Sequence, residues 1–327
     1  MSDSEQKQPT PITLQSDETL SDSDVLYRFS FENYPVRGQW VRLARTIETA
    51  HAVGQYPPPI KKLLNEMFAV VSMFADNLKF DGAIALQSKG SGGALIRTLA
   101  ECRERQYLRG IAHLDESKTA PSDNTSLAAW LGQGQLALSL IPPADADQVP
   151  YQGLVALQDA SLAENLEAYL LNSEQLPSRM YLASTANSVT GLLLQRLPSD
   201  DLASDVTLSE ADDVWHSIVT LANTVTDHEL LQLPAKTLLS RLFAEYPCRM
   251  YPARALSYRC SCSRQKSDRT LRVLEAQEIT ELLAELGEIT VDCEFCGTRY
   301  SYDAVDIGIL LNNASPPASD PASDIVH

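Results

Sequence analysis

Residues 25–31, VLYRFSF, alternate apolar and polar side chains with the two-residue period of a half-buried strand. In PPPIKKLLNEMFAVVSMFADNLK, prolines come first and apolar residues then recur at helical spacing, which predicts a helix over 58–79. GAIALQSK and ALIRTLAE flank GSGG and read as two strands joined by a glycine turn. Short strands are expected around QYLRGIAHL, GQLALSLIP and YQGLVALQ, then a helix over SLAENLEAYLLNSEQ and strands at SRMYLAS and VTGLLLQRLP. Strands in runs, interrupted by single helices, predict an α+β fold rather than a doubly wound sheet.

The texture changes after Pro198. PSDDLASD reads as a loop, and SEADDVWHSIVTLANTV and HELLQLPAKTLLSRLFAEY carry amphipathic helical patterns. Pro234 divides the second pattern, because proline lacks the N–H that a helix interior needs. A cysteine-bearing segment begins near Tyr251, with a helix over 276–287 ended by Gly287 and a last helix in YDAVDIGILLN. The expected organisation is a disordered acidic segment 1–24, an N-terminal mixed sheet and helix domain 25–198 and a helical linker 199–250. A small module 251–312 and a disordered tail 313–327 complete it.

Composition narrows the function. The net charge is −17, of which the ends take seven, five net from residues 1–24 and two from Asp320 and Asp324. An acidic balance argues against nucleic acid, whose backbone is read by clustered Lys and Arg. The longest apolar stretch, MFAVVSMFA, is far short of the roughly 20 residues that span a bilayer, so no membrane partner is expected. The first residues lack a basic segment followed by an apolar one, so a cytoplasmic location is expected, where thiols stay reduced. Six cysteines in 327 residues are then not a disulfide scaffold.

Four of the six fall close together, as C-x-C at Cys260 and Cys262 and, 30 residues on, C-x-x-C at Cys293 and Cys296. Zinc takes four soft ligands in a tetrahedron, and two short-spaced pairs on separate turns supply them. No histidine is near, so the expected site is all-cysteine, with Gly297 suited to a turn whose amides point at sulfur. The plain alternative is a structural zinc ribbon, a constitutive interaction adaptor in which the metal only holds the module together. A thioredoxin-like dithiol fits poorly, because Cys293-Glu-Phe-Cys296 does not open a helix in a βαβ unit. Cys102 and Cys248 are single thiols without a histidine partner and read as buried or incidental.

Magnitudes favour more than a clip. A segment of this size with few large apolar residues has a marginal core, whereas structural zinc contributes on the order of 10–16 kcal/mol. An oxidant that joined Cys260 to Cys262 and Cys293 to Cys296 would close two tiny loops, each worth roughly 2 kcal/mol or less. Oxidation therefore exchanges one strong staple for two weak ones. Arg259, Arg264, Lys266, Arg269 and Arg272 surround the first pair in sequence and would favour thiolate over thiol. KGSGG lacks the Lys-[ST] of a phosphate loop, and neither a Gly-x-Ser-x-Gly elbow nor HExxH occurs, so no enzyme is expected.

CSCSR followed by LLAELGEITVDCEFCGTRYSYDAVDI resembles the redox-switch domain of the thirty-three-kilodalton heat-shock chaperone family. The likeness continues upstream in RFSFENYPVRGQWVRL, LKFDGAIALQSKGSGG, YQGLVAL and LNSEQLPSRMYL, and so spans about Tyr27 to Asn313. It implies a redox-regulated, ATP-independent holdase of the oxidative stress response. In the reduced state one zinc ion per chain sits on Cys260, Cys262, Cys293 and Cys296, and the protein is inactive. On oxidation, the resemblance pairs Cys260 with Cys262 and Cys293 with Cys296, and zinc leaves. The module and linker then lose structure, and unfolded client proteins bind. The implied partners are those clients, downstream ATP-dependent foldases and a second copy of the chain in an active homodimer. Some relatives carry a further cysteine after the C-x-C pair; SRQKSDR here has none.

Overall fold

The computed structural model describes residues 23–77, 82–118, 121, 126–143, 146, 149–158, 161–198 and 208–312. The acidic segment up to residue 22, residues 78–79 of the helix expected over 58–79, the first residues of the linker and the tail lie outside the described residues.

The chain opens with β1 (Val25–Phe31), β2 (Val36–Leu43), α1 (Arg45–Ala50) and the long α2 (Pro58–Asp76). β3 (Ala83–Gly92), β4 (Leu95–Arg103) and β5 (Tyr107–Leu114) follow, then α3 (Leu127–Leu131), β6 (Gly132–Ile141) and β7 (Tyr151–Val155). α4 (Leu162–Ser173), β8 (Ser178–Ser184) and β9 (Val189–Arg196) come next. They lead to α5 (Leu208–Ala222), α6 (Asp227–Gln232) and α7 (Ala235–Leu242). Three short strands, β10 (Cys248–Met250), β11 (Arg254–Ala255) and β12 (Ser257–Tyr258), precede α8 (Arg264–Leu271) and α9 (Ala276–Leu286). The hairpin β13 (Ile289–Asp292) and β14 (Arg299–Tyr302) and helix α10 (Ala304–Asn312) finish the described chain.

The α+β architecture matches the expectation. One sheet has the order β10-β1-β2-β9-β8 with β11 also on β1, and the other β12-β5-β4-β3-β6-β7. α2 touches strands of both sheets. Its second half, MFAVVSMFAD, is buried all round, which is why a single apolar stripe is not enough there. The first sheet is covered on both faces. Leu26, Val41, Leu43 and Leu193 join the core around α2, while Phe29, Trp40, Leu192 and Leu194 pack with Trp215, Ile218, Leu230 and Leu239 of α5 to α7. The near-continuous apolar run of β9 is the signature of such double burial. Pro234 does break the helix, serving as the N-cap of α7.

Two boundaries differ from those read in the sequence. Asp24, assigned to the acidic segment, is buried and accepts hydrogen bonds from the N–H groups of Ala44, Arg45 and Thr46 at the start of α1. Residues 254–258, assigned to the cysteine module, instead pair with the N-terminal part: β11 with β1, and β12 in parallel with β5. Both differences have one cause. Short polar segments find partners far away in sequence, which local pattern does not encode.

Burial alone would push the Asp24 carboxyl up, but the Thr46 hydroxyl and N–H and the Ser23 hydroxyl hold it below its usual value. A depressed carboxyl contributes stability above its unfolded value, near ~3.9, and loses it as pH falls through the folded one. Asp24→Ala should therefore lower stability by about 1–2 kcal/mol at pH 7. Urea titrations of variant and parent should draw together as the pH is lowered past the ordinary carboxyl value of ~3.9.

Candidate metal centre

The four cysteines come from two separate turns. Cys260 and Cys262 lie between β12 and α8, whose N-terminus is capped by the Ser263 hydroxyl accepting from the Lys266 N–H. Cys293 and Cys296 lie in the turn between β13 and β14. That turn is closed by the Gly297 N–H donating to the Cys293 carbonyl at 2.7 Å and the Cys293 N–H donating to the Thr298 carbonyl at 2.9 Å. Gly297 has φ +69°, a left-handed conformation that a side chain at this position would strain. α9 ends in the same way at Gly287, φ +76°, and so turns the chain into β13.

All four sulfurs lie within 4.8 Å of one another. Across the turns, Cys260 and Cys293 are 3.6 Å apart, and Cys262 and Cys296 are 3.5 Å apart. A tetrahedral zinc ion with Zn–S near 2.3 Å needs S···S separations of about 3.8 Å, so the set fits a metal of that geometry. Each sulfur also faces a donor. Cys260 accepts from the Cys262 N–H, and Cys293 from the N–H groups of Cys296 and Phe295. Cys262 accepts from the Tyr300 hydroxyl at 3.1 Å, and Cys296 from the Thr298 hydroxyl and N–H. Donors aimed at sulfur suit thiolates, the form in which cysteine binds metal. Among the described residues, these four form the one cluster of metal-binding side chains, and no histidine belongs to it.

Without a metal charge the sulfurs differ. Burial first, then crowding by the other sulfurs, pushes the Cys260 thiol up. Burial also raises Cys293. Burial would raise Cys296 too, but the Thr298 hydroxyl and N–H overcome it and bring that thiol down to about 7. Cys296 is thus more readily deprotonated at neutral pH than Cys260 or Cys293.

The two remaining cysteines are elsewhere. Cys102 is fully buried in β4, and burial raises its thiol far above the usual range. Cys248 is half-buried in β10, pushed up to about 12 by burial and the Glu32 carboxylate. The cations near the first pair divide: Lys266 Nζ donates to the Ser261 hydroxyl, between Cys260 and Cys262, at 3.3 Å. Arg259 lies over the Tyr107 ring, and Arg264 pairs with Asp306 and lies over Tyr302. The guanidinium that reaches the sulfurs is Arg109 of β5, which donates to Cys260 and, at 2.9 Å, to the Ser261 hydroxyl. Nothing in QYLRGIAHL marks this residue, because its partner Ser261 is 152 positions away.

Contacts of this kind frame the whole centre. The Tyr258 hydroxyl donates to the Phe295 carbonyl at 2.5 Å, and Glu294 lies 3.5 Å from Arg97 and 3.4 Å from His113 on the neighbouring sheet. Around it the module has a small core of Leu271, Ile279, Ile289, Tyr302, Ile307 and Leu310.

The comparisons with known proteins agree with this geometry. A family model described as Hsp33 protein matches residues 24–303. The chain is 38% identical over 293 residues to the 33 kDa chaperonin of Pseudomonas savastanoi pv. phaseolicola, covering 89% of this chain and 95% of that protein. It is 37% identical over 295 residues to that of Serratia proteamaculans, covering 89% and 96%. The crystal structure of the 33 kDa chaperonin, a heat shock protein 33 homologue, from Thermotoga maritima shares the fold. Its TM-score is 0.72 at 20% identity, over 88% of this chain and 98% of that one.

Proposed function

Because this chain belongs to the Hsp33 protein family, whose members are chaperones and not enzymes, we propose that it is a redox-regulated, ATP-independent holdase. Its resting form holds one zinc ion on Cys260, Cys262, Cys293 and Cys296. The observation that carries this reading is the convergence of four sulfurs, each facing a hydrogen-bond donor, in a module with a small core.

On oxidation, Cys260 bonds to Cys262 and Cys293 to Cys296. Each pair of thiolates passes two electrons to one peroxide, which takes up two protons and leaves as two waters. The metal loses its ligands, and the module loses its main source of stability. Residues 199–250 are the metastable linker in this scheme. α5 to α7 bury Trp215, Ile218, Leu230, Leu238 and Leu239, and release of these helices exposes that face and the sheet beneath it to unfolding clients. Clients then pass to ATP-dependent foldases, the active form is a homodimer, and the protein works in the cytoplasm. No described helix is long and apolar enough to cross a membrane.

The test is aggregation of a thermally unfolding client, followed by light scattering, with zinc release and circular dichroism read in parallel. Peroxide treatment should release zinc, reduce helicity and suppress aggregation severalfold relative to the reduced protein. Equal protection by both forms, or zinc retained under peroxide, would favour a purely structural metal and sink the switch.

A further inference from the structure

Arg109 lies on β5 of the N-terminal part, yet its guanidinium ends among the metal-binding cysteines. It is aimed by Glu101 of β4, whose buried carboxylate accepts from Arg109 Nη2 at 2.8 Å and Nε at 3.2 Å. From that fork the cation donates to the Cys260 sulfur and the Ser261 hydroxyl, and it stacks on the Phe295 ring at 4.6 Å. Ser261 is the spacer of C-x-C, and Phe295 is one of the two spacers of C-x-x-C. One guanidinium thus touches both cysteine turns at once.

Four thiolates on a divalent ion carry a net charge of about −2, which a half-buried site must balance. Arg259 and Arg264 do not do this, being engaged with Tyr107 and with Asp306 and Tyr302, and Lys266 meets the Ser261 hydroxyl at 3.3 Å from the exposed side. We propose that Arg109, held by Glu101, is the charge-balancing positioning residue of the metal centre. The centre is therefore completed by the N-terminal part of the chain and not by the cysteine module alone. This rests on the zinc reading above.

The arrangement has a mechanical side. Bonding Cys260 to Cys262 must bring their sulfurs to about 2.05 Å and so reshape the turn that holds Ser261. It also removes the thiolate charge that Arg109 answers. The same event that changes the sulfurs therefore weakens one of the contacts that hold the module on β5, beside those of Tyr258 with Phe295 and of Glu294 with Arg97 and His113.

The test uses the full-length, reduced, zinc-loaded protein and a chelator whose absorbance reports zinc. Outer partners of metal ligands are typically worth 10–100-fold in affinity, so Arg109→Met should release zinc about tenfold faster or more. Arg109→Lys, which keeps the charge but loses the fork, should fall between that variant and the parent. Arg109→Met leaves Glu101 with a single partner, Arg103, and could disturb the fold. The double variant Ser261→Ala/Phe295→Leu removes the contacts from the other side, leaves both sheets untouched, and should release zinc severalfold faster.

In the cobalt-substituted protein, loss of the guanidinium should move the thiolate-to-metal charge-transfer band to lower energy, a change that altered stability alone does not produce. A zinc-loaded parent with all variants releasing within about twofold of it and an unmoved cobalt band would overturn the role of Arg109 while leaving the zinc site standing. A parent that holds no zinc would overturn both.

Discussion

Removing the metal from the reduced protein should unfold residues 264–312 and leave the two N-terminal sheets intact. The hydrophobic contribution of the module is small, with six buried, largely apolar side chains around α8, α9, α10 and the β13–β14 hairpin. Val273, Leu286, Val305 and Ile309 remain largely exposed and add little to it. Against this, structural zinc sites contribute on the order of 10–16 kcal/mol, more than the whole stability of many domains. Chelation under reducing conditions should therefore abolish the helicity of α8 to α10. It should also expose Arg264, Lys266, Arg269 and Arg272 to trypsin. Cys262→Ser and Cys293→Ser should behave in the same way without chelator, since three thiolates cannot close the tetrahedron. Continued protection from trypsin in the metal-free protein would mean that the core of the module suffices by itself, and the metal would then be an accessory to the fold.

Much of this was legible in the sequence, for reasons that particular elements make plain. β3 and β4 alternate around a glycine turn, and α2 carries a long apolar pattern behind prolines, so local pattern is enough to place them. The cysteine cluster was legible because two short spacings far apart are difficult to explain by packing. α1, α3 and α8 were missed because each is short, and α8 is highly polar. β10 to β12 were missed because they exist only through pairing with β1 and β5. The same limit hid Arg109, an ordinary outward-facing position of a strand until the fold brings the cysteines to it.

Of the missed elements, β10 to β12 join the parts. α7 leads into β10, and β10 to β12 run across both sheets before Cys260, so the linker and the module are fastened by a strap of short strands. A strap with few hydrogen bonds of its own is easily lost when either end is released. Whatever makes it firm should therefore influence both ends, and its most buried fastening is an ion pair.

Arg254→Met should be one of the most destabilising substitutions outside the hydrophobic core. Asp76 at the end of α2 has its side chain 1% exposed, pairs with Arg254 of β11 and accepts from Gln39 Nε2 at 3.2 Å. Its other cation, Arg28, is 3.5 Å away and half exposed. Breaking a fully buried pair by removing one partner costs about 3–5 kcal/mol, and the remaining contacts of Asp76 with Arg28 and Gln39 set that as the upper bound here. The midpoint of urea unfolding, followed through Trp40, Trp130 and Trp215, should fall accordingly. The combined Asp76→Asn/Arg254→Met variant should lose clearly less than the sum of the two single changes, because no buried charge is then left alone. If the strap couples the linker to the module, Arg254→Met should also release zinc at a lower peroxide concentration than the parent, although Arg254 is not among the metal-binding residues. Strict additivity of the two substitutions would show that Asp76 and Arg254 do not act as a pair. An unchanged peroxide threshold would show that fastening the strap and retaining the metal are independent.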